Sequence, residues 1–221
     1  MTSIVILLPI IVGLILWNDL PQQIATHWGA DGKADGFSSR AVAVFIPPLM
    51  ILGVHWLCVL ITCADPGNKG QNEKVLGIVL WISPILSVIM NGLVYVNALG
   101  IAVSVSMVTL IFTGILFVVI GNYLPKCKRN YTIGIKVSWT LENEENWNKT
   151  HRFAGKVWVA GGLALTAAGF LPEGILMIVL FAALGLLVAA PVLYSFLYHK
   201  KQVREGYDAC DCTGHDDRDD L

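Results

Sequence analysis

Three groups of residues in this chain have side chains that could do chemistry. His27, Asp31 and Asp35 recur at every fourth position. On a helix that spacing stacks side chains along one face, where they could hold a cation. They lie, however, in LPQQIATHWGADGKADGFSSR, whose Asp-Gly pairs are turn chemistry, and a turn does not keep helical spacing. Cation binding is under-specified here, and no resident metal is expected. Cys210, Cys212 and His215 offer two thiols and an imidazole, but a zinc set needs a fourth ligand and no second CxC or CxxC pair supplies one. An acidic tail is the better account. His55 sits inside an apolar run. An ionisable group at membrane depth is a functional hypothesis by default, set against a neutral, hydrogen-bonded histidine. There is no nucleophile beside a base, no phosphate-cradling glycine loop and no zinc helix motif. The chain is expected to be neither an enzyme nor a cofactor protein.

The richest polar stretch is GNYLPKCKRNYTIGIKVSWTLENEENWNKTHRFAG, Gly121 to Gly155. Connections between buried elements are usually much shorter, so one of this length is functional or a small structure in its own right. It carries Lys126, Lys128, Arg129, Lys136, Lys149 and Arg152, with Lys156 at its edge. Thr140 is placed to cap a short helix over 141–155. Glu142, Glu144 and Glu145 then fall in its first turns and Lys149 and Arg152 toward its end, as the helix dipole favours. Glu145 and Lys149 are four apart, and so are Trp147 and His151, so each pair shares a face. A helix lying at the membrane surface, anchored by Trp139 and Trp147, is one reading of this pattern.

These segments are held by an apolar scaffold. The chain is 55% hydrophobic and only 14% charged, with a mean hydropathy of +0.65, whereas soluble domains carry about 25% charged residues. Net charge is -1, which gives no electrostatic reason to expect nucleic acid as a partner. Apolar runs at 1–17, 41–63, 75–97, 102–120, 157–171 and 175–198 predict six transmembrane helices in an all-α integral membrane protein. The first run has no basic residue before it, so it reads as a retained helix rather than a cleaved signal. Pro47, Pro48 and Pro84 interrupt spans whose neighbours must satisfy the freed carbonyls. Asn91 and Asn97 are expected to join helices by hydrogen bonds, and the small residues of the fifth span to allow close packing. With both termini inside, all fifteen basic residues except Lys33 and Arg40 face the cytoplasm, the orientation the positive-inside rule selects. The expected organisation is a four-helix region 1–120 with an outer loop 20–40, a cytoplasmic loop with a short interfacial helix at 121–156, a helical hairpin 157–199 and a disordered tail 200–221. The cysteines then lie in apolar or cytoplasmic segments, where disulfides are not expected.

At the level of motifs, Gly121-Asn122-Tyr123-Leu124-Pro125, Lys126, Lys128, Asn130, Gly134-Ile135, Trp139-Thr140-Leu141, Asn143-Glu144-Glu145, Trp147 and Thr150-His151-Arg152 resemble the C-terminal motif of the SdpI-type toxin-immunity family. Leu20-Pro21, Ile24, Thr26-His27-Trp28, Gly32, Asp35-Gly36 and Ser38-Ser39 resemble the N-terminal segment that accompanies it. Ala25, Lys136 and Val137-Ser138 depart from the family's usual Pro, Arg and Thr-Pro. The resemblance implies a multi-pass protein of the bacterial cytoplasmic membrane that protects its host from a secreted killing peptide. For the best-known member it also implies signalling, by holding a transcriptional repressor at the membrane. Asn122, Pro125, Lys126, Asn130, Gly134, Trp139, Thr140, Asn143, Trp147, His151 and Arg152 are the implied partner-binding residues inside, with His27, Trp28 and Asp35 outside. The basic inner loop also suits anionic lipid. The rival reading is a small proton-coupled transporter built on His55, Asn91 and the proline-broken helices.

Overall fold

The structure, a computed structural model, describes residues 1–29 and 31–213, apart from the side chains of 173 and 206–213. Among the described residues, seven α-helices and one hairpin follow in the order α1 (Thr2–Ile15), β1 (Gln23–Trp28), β2 (Ala34–Ser39), α2 (Arg40–Ala64), α3 (Glu73–Ala98), α4 (Val105–Tyr123), α5 (Ser138–Glu142), α6 (Glu144–Ala168) and α7 (Glu173–Thr213). Helices α2, α3, α4 and α7 are long and apolar enough to cross a membrane, while α1 is a shorter apolar helix. The chain is a helical membrane protein. Only the second half of α6, from Val157, is apolar.

The helices pack as two groups. In one, α3 rests on α1 and α2; in the other, α6 rests on α4 and α7. Polar groups of α3 reach carbonyls of α1: Ser87 Oγ donates to the Ile6 carbonyl at 2.8 Å and the Tyr95 hydroxyl to the Pro9 carbonyl at 3.0 Å. The α4–α6 contact is built on glycine. A β-carbon at Gly162 would sit 2.5 Å from the Gly114 carbonyl oxygen, and one at Gly155 would sit 2.7 Å from that of Gly121. Backbones this close need residues without side chains, the role expected of the small residues in this span.

Four expectations change. The outer loop is an antiparallel β-hairpin whose register shifts around Thr26, an addition to the all-α reading. Its Thr and aromatic residues suit a pleated surface, and Gly32, at φ 75, closes the turn. Leu20 and Ile24 anchor it in a core with Ala43, Val44 and Tyr95. The interfacial helix and the fifth span are one continuous helix, α6. Asn91 and Asn97 bond the carbonyls of Ser87 and Leu93 in their own helix, so neither joins helices through its amide nitrogen. Finally, α7 runs past residue 200 as far as Thr213, where a disordered tail is expected. Tyr198 and Gln202 are held by Glu145 at 2.8 and 3.1 Å, and Lys201 pairs with Glu205 one turn on at 3.5 Å, which carries the helix on. The donor set Cys210, Cys212 and His215 lies outside the described side chains.

Candidate functional site

Each helix of 25 residues spans roughly 37 Å, so the hairpin and the 124–143 loop lie at opposite ends of the bundle. The loop is folded around Asn130, which is 1% exposed. Its Oδ1 accepts from the backbone N–H groups of Thr132 and Ile133 at 2.8 and 2.5 Å, and its Nδ2 donates to the carbonyls of Lys128 and Ile133 at 2.7 and 3.0 Å. One side chain thereby satisfies four backbone groups that no helix or sheet could pair. Lys136 closes the same turn, its Nζ donating to the carbonyls of Tyr131 and Thr132.

The short α2–α3 connection docks onto this loop. Asp65 accepts from Gly67 N–H and Tyr131 N–H, both at 2.8 Å, and from the Thr132 hydroxyl at 3.1 Å. Burial alone would raise its carboxyl, but these bonds outweigh it and hold Asp65 below the usual carboxylate range. Gln71 pairs both ways with the Lys128 backbone, at 2.9 and 3.1 Å.

Beneath the loop, Trp147 is fully buried against Val75 and Cys127 and donates its indole N–H to the Cys127 carbonyl at 2.9 Å. Burial pushes the Cys127 thiol up to about 11, so it stays protonated and unreactive. His151 stacks on Trp147, ring centroids 4.0 Å apart. Its Nδ1 lies 2.8 Å from the Trp147 carbonyl and its Nε2 accepts from Ile135 N–H at 3.1 Å. Those partners define a neutral ring with the proton on Nδ1, and burial lowers its pKa to about 4. Gly134, at φ 114, lies over this pair, and a β-carbon there would run into His151 Nε2.

The far side of the loop is latched to α7 through Ser195, which is fully buried. Trp139 Nε1 donates to Ser195 Oγ at 2.6 Å, Ser195 Oγ donates to Asn146 Oδ1 at 3.1 Å, and Asn146 Nδ2 donates to the Ser195 carbonyl at 3.1 Å. Glu145 and Lys149 pair as their spacing predicts, at 2.9 Å. Hydrogen bonding with Lys149 and with the Tyr198 hydroxyl lowers the Glu145 carboxyl, and hydrogen bonding with Tyr198 and Glu145 raises the Lys149 amine.

Most of the expected inner residues therefore meet in one folded unit: Asn130, Gly134, Trp139, Thr140, Trp147 and His151. Thr140 does not cap the long helix. It lies inside α5, accepting from Val137 N–H and donating to the Ile135 carbonyl. The cap is Asn143, whose extended backbone (φ -124, ψ 114) separates α5 from α6 and whose Oδ1 accepts from Asn146 N–H at 2.9 Å. Pro125 packs against Gly155. Asn122 and Arg152 are exposed. So is Lys126, which lies over the Tyr123 ring at 4.5 Å. Lys126, Lys128 and Arg129 line a polar cavity of about 510 Å³ at this surface. Asp65, Gln71, Asn146 and Ser195 escape sequence reasoning. Asp65 and Gln71 signal only as polar residues in a short connection, Ser195 as a single hydroxyl in an apolar run, and Asn146 as one polar residue among many in the central stretch.

At the hairpin end, His27 pairs with Asp35 across the strands, Nδ1 to Oδ1 at 2.5 Å, while Asp31 accepts from Lys33 N–H at 3.2 Å. Trp28 is the last residue of β1, opposite Ala34. His55 faces the bundle interior and meets the Thr2 hydroxyl at 3.1 Å, joining α2 to the first turn of α1.

Comparison with known proteins bears on both ends. Residues 126–195 match the SdpI/YfhL protein family, and residues 4–52 match a domain of unknown function, DUF1648. The chain is 25% identical over 198 residues to the immunity protein SdpI of Bacillus subtilis (strain 168), covering 90% of this chain and 94% of that one. No solved structure matches.

Proposed function

We propose that this membrane protein is of the SdpI type and is an immunity protein, protecting the bacterium that makes it from a secreted antimicrobial peptide. The observation that carries this is the similarity to an immunity protein along 90% of the chain, spanning the hairpin as well as the folded loop. In this reading the protein sits in the cytoplasmic membrane with six spans and both termini inside, as the placement of its basic residues supports. It acts by binding rather than by covalent chemistry. The hairpin with His27, Trp28 and Asp35 meets the peptide outside.

The loop around Asn130 meets a cytoplasmic partner, with the repressor protein implied by the family resemblance as the candidate. Lys126, Lys128 and Arg129 give that surface its positive charge, complementary to an acidic protein patch or to anionic lipid. For peptide binding to be signalled, the peptide must favour one arrangement of this loop over another.

The test is survival of a sensitive host expressing the protein and challenged with the killing peptide, beside Asn130→Ala at matched membrane levels. Protection is expected from the wild type and not from the variant, since four loop hydrogen bonds of Asn130 vanish together. Absence of protection by the wild type would remove the immunity reading.

A further inference from the structure

Beneath the hairpin, a cavity of about 340 Å³ opens between the two helix groups, lined among others by Trp28, Pro47, Asn91, Val94, Thr109 and Met177. Its walls come from β1, α2, α3, α4 and α7, so no single helix face accounts for it. The volume lies at the small end of ligand-sized cavities, roughly 300–1,000 Å³. Most of the lining is apolar, and His27 is its one ionisable group.

Asn91 is the feature that a lipid-facing groove would not have. It is 1% exposed. Its Nδ2 is used by the Ser87 carbonyl at 2.8 Å, and its Oδ1 meets no hydrogen-bond donor among the described residues. An occupant that brings an N–H or O–H to this oxygen gains a hydrogen bond there. Ser106, also buried, lines the same cavity with a hydroxyl, as do Thr26 and Thr109.

We propose that this cavity receives an uncharged, apolar segment of the secreted peptide, with a peptide N–H or side-chain hydroxyl donating to Asn91 Oδ1. The proposal rests on the immunity reading and names where on the protein the peptide binds. A peptide fits better than a phospholipid because acyl chains carry no donor for Asn91. A phosphate headgroup would also favour a cation, and no lysine or arginine lines the cavity.

The experiment uses the full-length protein in the sensitive host and in membranes. Wild type, Asn91→Leu, which keeps the size and removes the acceptor, and Thr109→Trp, which fills the cavity, are compared for the peptide concentration that halves survival. Membrane levels are matched by blotting. A photo-crosslinking residue at Met90 then identifies the occupant by adduct mass after exposure to the same peptide. Expected are a roughly tenfold loss of protection for Asn91→Leu, about the size of one buried hydrogen bond, a larger loss for Thr109→Trp, and an adduct containing the peptide. Full protection by both variants, or an adduct of phospholipid alone, would overturn the cavity proposal and leave the immunity reading standing. A wild type that protects against no peptide would sink both.

Discussion

Lowering the pH from 7 to 5.5 should loosen the folded loop through a single residue, His151. The ring is 1% exposed, holds a proton on Nδ1, and must keep Nε2 bare to accept from Ile135 N–H. Its pKa in the folded state is about 4, against an ordinary value of about 6.5. Because the folded value is depressed, the opened loop binds the extra proton more readily. The stabilisation is therefore complete above pH 6.5 and is lost as pH falls from there toward 4. The shift of about 2.5 units caps the loss at about 3.4 kcal/mol. Between pH 7 and 5.5 the loss is about 1.2 kcal/mol, or roughly eightfold in the opening equilibrium. The assay is hydrogen exchange of the Ile135 amide in lipid nanodiscs, corrected for the intrinsic pH dependence of exchange. Protection should fall about eightfold over this range in the wild type. It should stay flat in His151→Gln, which offers an acceptor but does not titrate. Wild-type protection that is unchanged down to pH 5 would refute the neutral, buried histidine and with it the proposed lock between α6 and the loop.

Three further perturbations test the packing. Gly134→Ala places a side chain at φ 114 and against His151 Nε2; a loss of at least about 2 kcal/mol in thermal or denaturant unfolding is expected, and wild-type stability would contradict the reading. Ser195→Ala strands the Trp139 indole N–H and one bond to Asn146, so stability should fall by about 1–3 kcal/mol; the Trp139 indole N–H resonance should shift, and an unmoved resonance would disprove the latch. Gly162→Leu should prevent α4 from meeting α6 and abolish accumulation of folded protein, whereas Gly77→Leu, with nothing within 4 Å of its β-carbon position, should accumulate normally; equal membrane levels of the two would rule out the glycine contact.

How much of this could be read before folding depends on distance along the chain. Hydropathy located α2, α3, α4 and α7, the four helices long and apolar enough to cross a membrane, because lipid forces each to satisfy its own backbone and present apolar side chains. Spacing of four paired Glu145 with Lys149 and Trp147 with His151, because helical neighbours are fixed by local geometry. The run of small residues near Gly162 announced close packing but not its partner. What the tertiary structure alone decided is the set of bonds between residues far apart: Asp65 with Tyr131, 66 positions away, and Asn146 with Ser195, 49 away. Asn130 was legible as part of a motif, yet its work as the centre of a turn was not, since the turn is irregular and has no period to read. The break at Asn143 and the helix that runs on from it reversed the reading of Thr140 as a cap, because two polar residues three apart are equally good local candidates. The hairpin was hidden for a similar reason: Gly and Asp mark a turn, but only Leu20 and Ile24 reaching Ala43, Val44 and Tyr95 make two short strands worth ordering, and an isolated hairpin is marginal without such support.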